Sequence, residues 1–159
     1  MENDLAYIVG LFETNNGLVK KAIEGIPPER WVERPNDSSN HMLWIVGHLV
    51  WCRGNILKTL GAEGVPLPWG SLFGRGAQLT TQDQYPSVEE IRTTWDAVSE
   101  RLINTLPKVA PEVLATPHDK PTLDGKTGGY IAFLGCHEAY HAGQLSYLRK
   151  WLEHGQVAG

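Results

Sequence analysis

The chain carries only two cysteines, Cys52 and Cys136, among 159 residues. That is too few for a disulfide framework, and in a reducing compartment both are expected as free thiols. Basic charge is not in excess: the formal net charge of −4 and a pI near 5.8 argue against a phosphate-binding surface and so against nucleic acid as a partner. Long apolar runs are missing too. The longest, "MLWIVGHLVWC", is too short to span a bilayer, and "MENDLAYIVG" at the start has acids where a secretory signal would carry basic residues. These absences predict a cytoplasmic protein without a membrane segment. No convincing alternation of apolar and polar residues occurs, and no internal repeat, so neither strands nor a solenoid are expected. The length suits one domain, 1–159, with a full hydrophobic core.

What is present is helical periodicity. Asp4 can cap a first helix whose apolar residues Leu5, Ile8, Val9, Phe12, Val19, Ala22, Ile23 and Ile26 mostly keep steps of three or four, until "GIPPER" ends it. After the turn segment "RPNDSSN", a second helix is predicted from His41 to about Leu60, stopped by Gly61. Apolar residues lie on nearly every side of it, which predicts deep packing. The stretch 61–85, rich in Gly and Pro, shows neither period and reads as a long loop, a crossover, lid or site wall. "SVEE" at Ser87–Glu90 fits a capping box for a third helix with Ile91, Trp95, Val98, Leu102 and Leu106 at helical steps. A second Pro-bearing connection leads to a last helix from about Tyr130 to Glu153. Four amphipathic helices with two long connections predict an all-α four-helix bundle with crossovers.

The last helix holds "CHEAYHAGQ", residues 136–144, which contains the HExxH pattern of zinc proteases. A zincin also needs a third ligand downstream and a sheet edge. The extended pattern would require glycine at 144 and histidine at 147, where this chain has Gln144 and Tyr147. A peptidase is therefore not expected. With His137 set at zero on a helical wheel, His141 falls at about 40°, Leu148 at about 20° and Leu134 at about 60°, so both imidazoles sit in the apolar stripe. Their Cβ atoms should be about 5–6 Å apart, which lets both rings reach one metal ion at about 2 Å. The alternative is a pair of core histidines, each hydrogen-bonded to a neighbour. Two buried imidazoles at ligand spacing are awkward to satisfy that way, which favours a metal.

A third ligand then has to come from an earlier helix, and the second helix offers His41 and His48. His48 lies mid-helix in "IVGHLVW", where Gly47 lets another helix approach closely; His41 falls in the first turn and is expected to face water. His118 and His154 lie in a connection and near the end of the chain and are not expected at the site. Cys52, one turn after His48, is a soft fourth ligand or a small core residue. Glu138, at the edge of the stripe, can be a general base near metal-bound water or an inter-helix hydrogen-bond partner. Gln144 can orient a ligand or bridge helices. Trp69, Phe73 and Arg75 in the long loop are either a pocket wall, with Arg75 meeting an anionic group, or simple anchors of the loop. Trp31, Trp44, Trp51, Trp95 and Trp151 read as packing residues.

"GHL" within an apolar second helix, followed by "HEAYHAGQLSYLRK" in the last, resembles the DinB superfamily of metal-binding four-helix bundles, and the resemblance runs through "LPWGSLFGRG". It implies an up-down-down-up bundle and a three-histidine site, His48, His137 and His141, for nickel, zinc or a similar divalent ion. It also implies a small-molecule substrate and pairing into homodimers. Relatives include transferases and isomerases that use a low-molecular-weight thiol, and others that look like hydrolases. The expected function is therefore thiol S-transfer or hydrolysis at the metal. The alternative is a non-catalytic bundle that the ion staples or that senses it.

Overall fold

The computed structural model of the protein describes residues 2–120 and 122–154, with side chains from residue 5 onward. The chain is all-helical among the described residues: α1 (Glu2–Ile23), α2 (Met42–Thr59), α3 (Val88–Thr105), a single turn α4 (Pro111–Leu114) and α5 (Thr127–Trp151). Helix α1 begins before Asp4, so Asp4 stands inside the helix and not at its cap; its side chain lies outside the described ones. The short α4 in the second connection, and one-turn 3-10 helices at Gly70–Phe73 and Gln82–Gln84 in the long loop, had no periodicity to announce them. No described helix is long and apolar enough to cross a membrane.

The helix ends follow local chemistry. The N-terminus of α3 is capped by Ser87, whose Oγ accepts the Glu90 N–H at 3.1 Å, while the Glu90 carboxylate turns to the long loop and accepts the Trp69 indole N–H at 2.8 Å. Gly61, at φ +66°, ends α2 in the left-handed conformation that costs glycine least, and the Ala62 N–H closes back on the Leu57 carbonyl at 3.0 Å. The last carbonyls of α1, which have no partner within the helix, accept from Arg92 and Arg149 of two other helices.

Helix α1 packs along α5 and α2 packs along α3; α2 also lies against α5, and α1 touches α3. Between them Phe12, Trp31, Leu49, Ile56, Trp95, Leu102, Ile131 and Leu145 are buried. Helix α2 is buried without interruption from Met42 to Val50, as its all-round apolar character requires. At Gly135 the backbone of α5 comes so close to α1 that a Cβ would meet Leu11 Cδ2 at 2.7 Å, and the Gly135 carbonyl accepts from Asn15 at 2.9 Å.

His41 departs from expectation. It is buried, 5 % exposed, and serves as the N-cap of α2, its Nδ1 accepting the Trp44 N–H at 3.1 Å while its ring meets Tyr85 edge-on. A cap that accepts through an imidazole nitrogen must be neutral, and burial, helped by the charge of Arg34, lowers its pKa to about 4. Its stabilisation is therefore complete above the ordinary value of 6.5 and is lost as pH falls through about 4. Asparagine caps as well and does not titrate. The melting temperature of His41→Asn relative to wild type should thus shift in the variant's favour between about pH 7 and about pH 4.5. An unchanged difference across that range would refute this reading of the cap.

Candidate metal centre

Helix α2 presents His48, and α5 presents His137 and His141, to a common space. The centroid of the His48 ring lies 5.2 Å from that of His137 and 5.1 Å from that of His141, and the α5 pair is 4.5 Å apart. His48 and His141 are buried and His137 is half-buried. His41 is not in the group of ligand atoms that lie together, and its Nδ1 is committed to the cap.

Hydrogen bonds fix which nitrogen of two of the rings faces inward. His48 Nδ1 donates to the Phe73 carbonyl at 2.7 Å, and His141 Nδ1 donates to Gln144 Oε1 at 2.6 Å. A carbonyl and an amide oxygen only accept, so both rings carry their proton on Nδ1 and turn an Nε2 lone pair inward. The Gln144 amide is itself oriented, since its Nε2 donates to the Tyr140 hydroxyl at 3.0 Å. His141 Nε2 lies 3.1 Å from His137 Nε2, and His137 Nδ1 is buried without a partner. The plane of His48 is set by Trp44, stacked at 4.9 Å, and by Trp51 at 5.8 Å on the same helix. Trp44 and Trp51 are thus more than filler, and their steps of four and three from His48 were the signal for it.

Burial lowers the pKa of all three histidines. For His141 it falls to about 4, opposed by the bond to Gln144 and assisted by the two neighbouring rings. Neutral imidazole is the form that binds metal. Burial, with the charge of Glu138 in second place, pushes the Cys52 thiol up to about 12. Its Sγ sits 3.6 Å from His48 Nε2, and the ligand atoms of His48, Cys52 and His137 all lie within 4.8 Å of one another. Convergent lone pairs, a nearby thiol and an orphaned imidazole nitrogen are a donor set that fits a divalent ion.

The long loop closes over α2. Phe73 is fully buried, and its ring occupies the space above Gly47 where any Cβ would overlap it. Gly47 was expected to admit a helix; it admits this ring, and so brings the Phe73 carbonyl onto His48. Trp69 meets Phe73 edge-on, Tyr85 stacks on its other side, and exposed Arg75 is near enough for its charge to depress His137. A groove of about 480 Å³ opens beside α5, lined by Asn40, Ile45, Tyr140, Gln144 and Tyr147 among others. A second groove of about 560 Å³ lies away from the histidines, near Lys20 and Arg92.

Glu138 is occupied elsewhere. It is 2 % exposed, and both oxygens accept from Arg53, at 2.8 and 2.6 Å. That is the inter-helix use of its carboxylate. Arg53, fully buried, also donates to the Phe12 carbonyl at 3.1 Å and lies over the Trp95 ring at 4.2 Å. His118, in the second connection, stacks on Tyr130 of α5.

Fold and site together define an all-helical protein with a buried histidine and cysteine group able to hold a metal ion. The chain belongs to the DinB superfamily, whose family model matches residues 11–145. A search of curated proteins finds no match.

The seating of Phe73 makes a prediction for Gly47. Alanine in place of an open helical glycine, such as Gly17, should stabilise by about 0.5–1 kcal/mol. Gly47→Ala should instead destabilise by about 1–3 kcal/mol, because the methyl displaces the ring. Denaturant titrations of the two variants check this; a Gly47→Ala protein as stable as Gly17→Ala would show that the loop does not rest on α2.

Proposed function

We propose that the chain is a single four-helix bundle domain of up-down-down-up topology that holds one divalent ion, nickel or zinc, between His48, His137 and His141. We further propose that it acts on a small molecule in the cytoplasm by thiol transfer or hydrolysis. The observation that carries this reading is the pair of Nδ1 hydrogen bonds, His48 to Phe73 and His141 to Gln144, which leave two Nε2 lone pairs pointing into one space beside His137. The packing of α1 on α5, α5 on α2, α2 on α3 and α3 on α1 supports the bundle.

When bound, such an ion supplies Lewis acidity, activating water or a thiol, or polarising a carbonyl oxygen. The chain's own residues do the rest. Phe73 and Gln144 keep the rings in the binding tautomer, and Trp44 and Trp51 hold the plane of His48. The buried aromatic side of the loop keeps water from α2, while Arg75, exposed near His137, is placed to meet an anionic part of a substrate. Glu138 enters as a positioning residue through Arg53. A low-molecular-weight thiol fits the soft preference of such an ion, but no residue pattern singles out a particular one.

A non-catalytic, stapled bundle is the second reading, favoured by the proximity of Cys52 to His48. Metal content of protein purified without an affinity tag tests the common core of both. Wild type should carry close to one nickel or zinc per chain, and His48→Ala, His137→Ala and His141→Ala should each lose it while remaining helical. A wild type that is metal-free and cannot be loaded would end the proposal.

A further inference from the structure

We propose that Cys52 is a fourth protein ligand, so that the resting ion is held by three histidines and one thiolate. The inference rests on the three-histidine reading and goes beyond it. Three observations carry it. Cys52 follows His48 by one turn of α2, and its Sγ approaches Nε2, the one nitrogen of that ring left free by the bond from Nδ1 to Phe73. The ligand atoms of Cys52, His48 and His137 form one group within 4.8 Å. Two of the separations also match edges of a coordination tetrahedron: with metal–sulfur and metal–nitrogen bonds of about 2.3 and 2.0–2.1 Å, an N···S edge is about 3.5 Å and an N···N edge about 3.3 Å. The structure has 3.6 Å between Cys52 Sγ and His48 Nε2, and 3.1 Å between His137 Nε2 and His141 Nε2.

A small core residue explains this position less well. A small apolar residue would serve packing alone, whereas sulfur here faces the Nε2 lone pair of His48. Without the ion the S–H group donates to His48 Nε2. On binding, the S–H bond breaks, sulfur keeps the electron pair for the metal, and the proton leaves to solvent. The resulting site has no open tetrahedral position, so a substrate must add as a fifth ligand or displace Cys52. That distinguishes this chain from a site whose fourth place is held by water.

Cobalt(II) is the probe, because a thiolate ligand adds an intense sulfur-to-cobalt charge-transfer band in the near ultraviolet that imidazoles do not give. Metal-free protein, kept reduced and anaerobic, is titrated with cobalt. Wild type and Cys136→Ser should both develop the band at one equivalent. Cys52→Ala and Cys52→Ser should bind cobalt without it and at least about tenfold more weakly. Stoichiometric cobalt binding by wild type with no thiolate band overturns the Cys52 assignment and leaves the three-histidine site standing. Failure of wild type to bind cobalt at all overturns both. If the Cys52 variants fail to fold, the Cys136→Ser spectrum decides the matter, since Cys52 is the one thiol left in that variant.

Discussion

The arrangement of this protein depends on one buried ion pair. Arg53 of α2 is fully buried, and both of its contacts to Glu138 bind it to α5. The guanidinium also reaches the backbone of α1 at Phe12 and lies on Trp95 of α3. A buried pair of this kind contributes little net stability compared with a well-packed apolar replacement, but breaking it by removing one partner is costly. Its value here is positional. Glu138 directly follows His137, and Arg53 stands five residues after His48. Sliding α5 along α2 by one turn would strand two charges in the core and would also carry His137 and His141 past His48. The pair that fixes the register of the two helices is the pair that aligns the histidines.

Given that register, the site resolves a conflict between burial and polarity. Burial lowers the pKa of each of the three imidazoles and so favours their neutral form. Neutral rings still need partners for their outer nitrogens. The Phe73 carbonyl and the Gln144 amide meet that need for two of them, and in doing so direct the remaining lone pairs to the same place. The long loop belongs to the site for this reason: it supplies the backbone carbonyl that accepts from His48 Nδ1.

Much of this was legible in the residues. Steps of three and four marked α1, α2, α3 and α5, and the spacing of His137 and His141 placed both on the buried stripe of α5. Period-based reading had no purchase on the loop 61–85, so the contact of Phe73 with Gly47 and His48 could not be foreseen, although the glycine pointed to something close. His41 departs from its expected place because position in a first turn suggests water, whereas an imidazole that caps its own helix can stay buried. Arg53 carries a signal of its own in the sequence. A cation in the middle of a helix that is apolar all round, unlike Lys58 at its exposed end, needs a buried anion, and Glu138, the acid at the edge of the apolar stripe of α5, is the group in reach.

The central claim, that His48 and His141 turn Nε2 toward one ion, is tested most directly by long-range nitrogen–proton NMR on histidine-labelled, metal-free protein at neutral pH, before and after one equivalent of zinc. The account predicts neutral rings protonated on Nδ1 at His48 and His141, with the Nε2 resonances of these two and one nitrogen of His137 shifting on zinc addition while His118 and His154 stay in place. Rings protonated on Nε2 at His48 and His141, or three resonances indifferent to zinc, would contradict it.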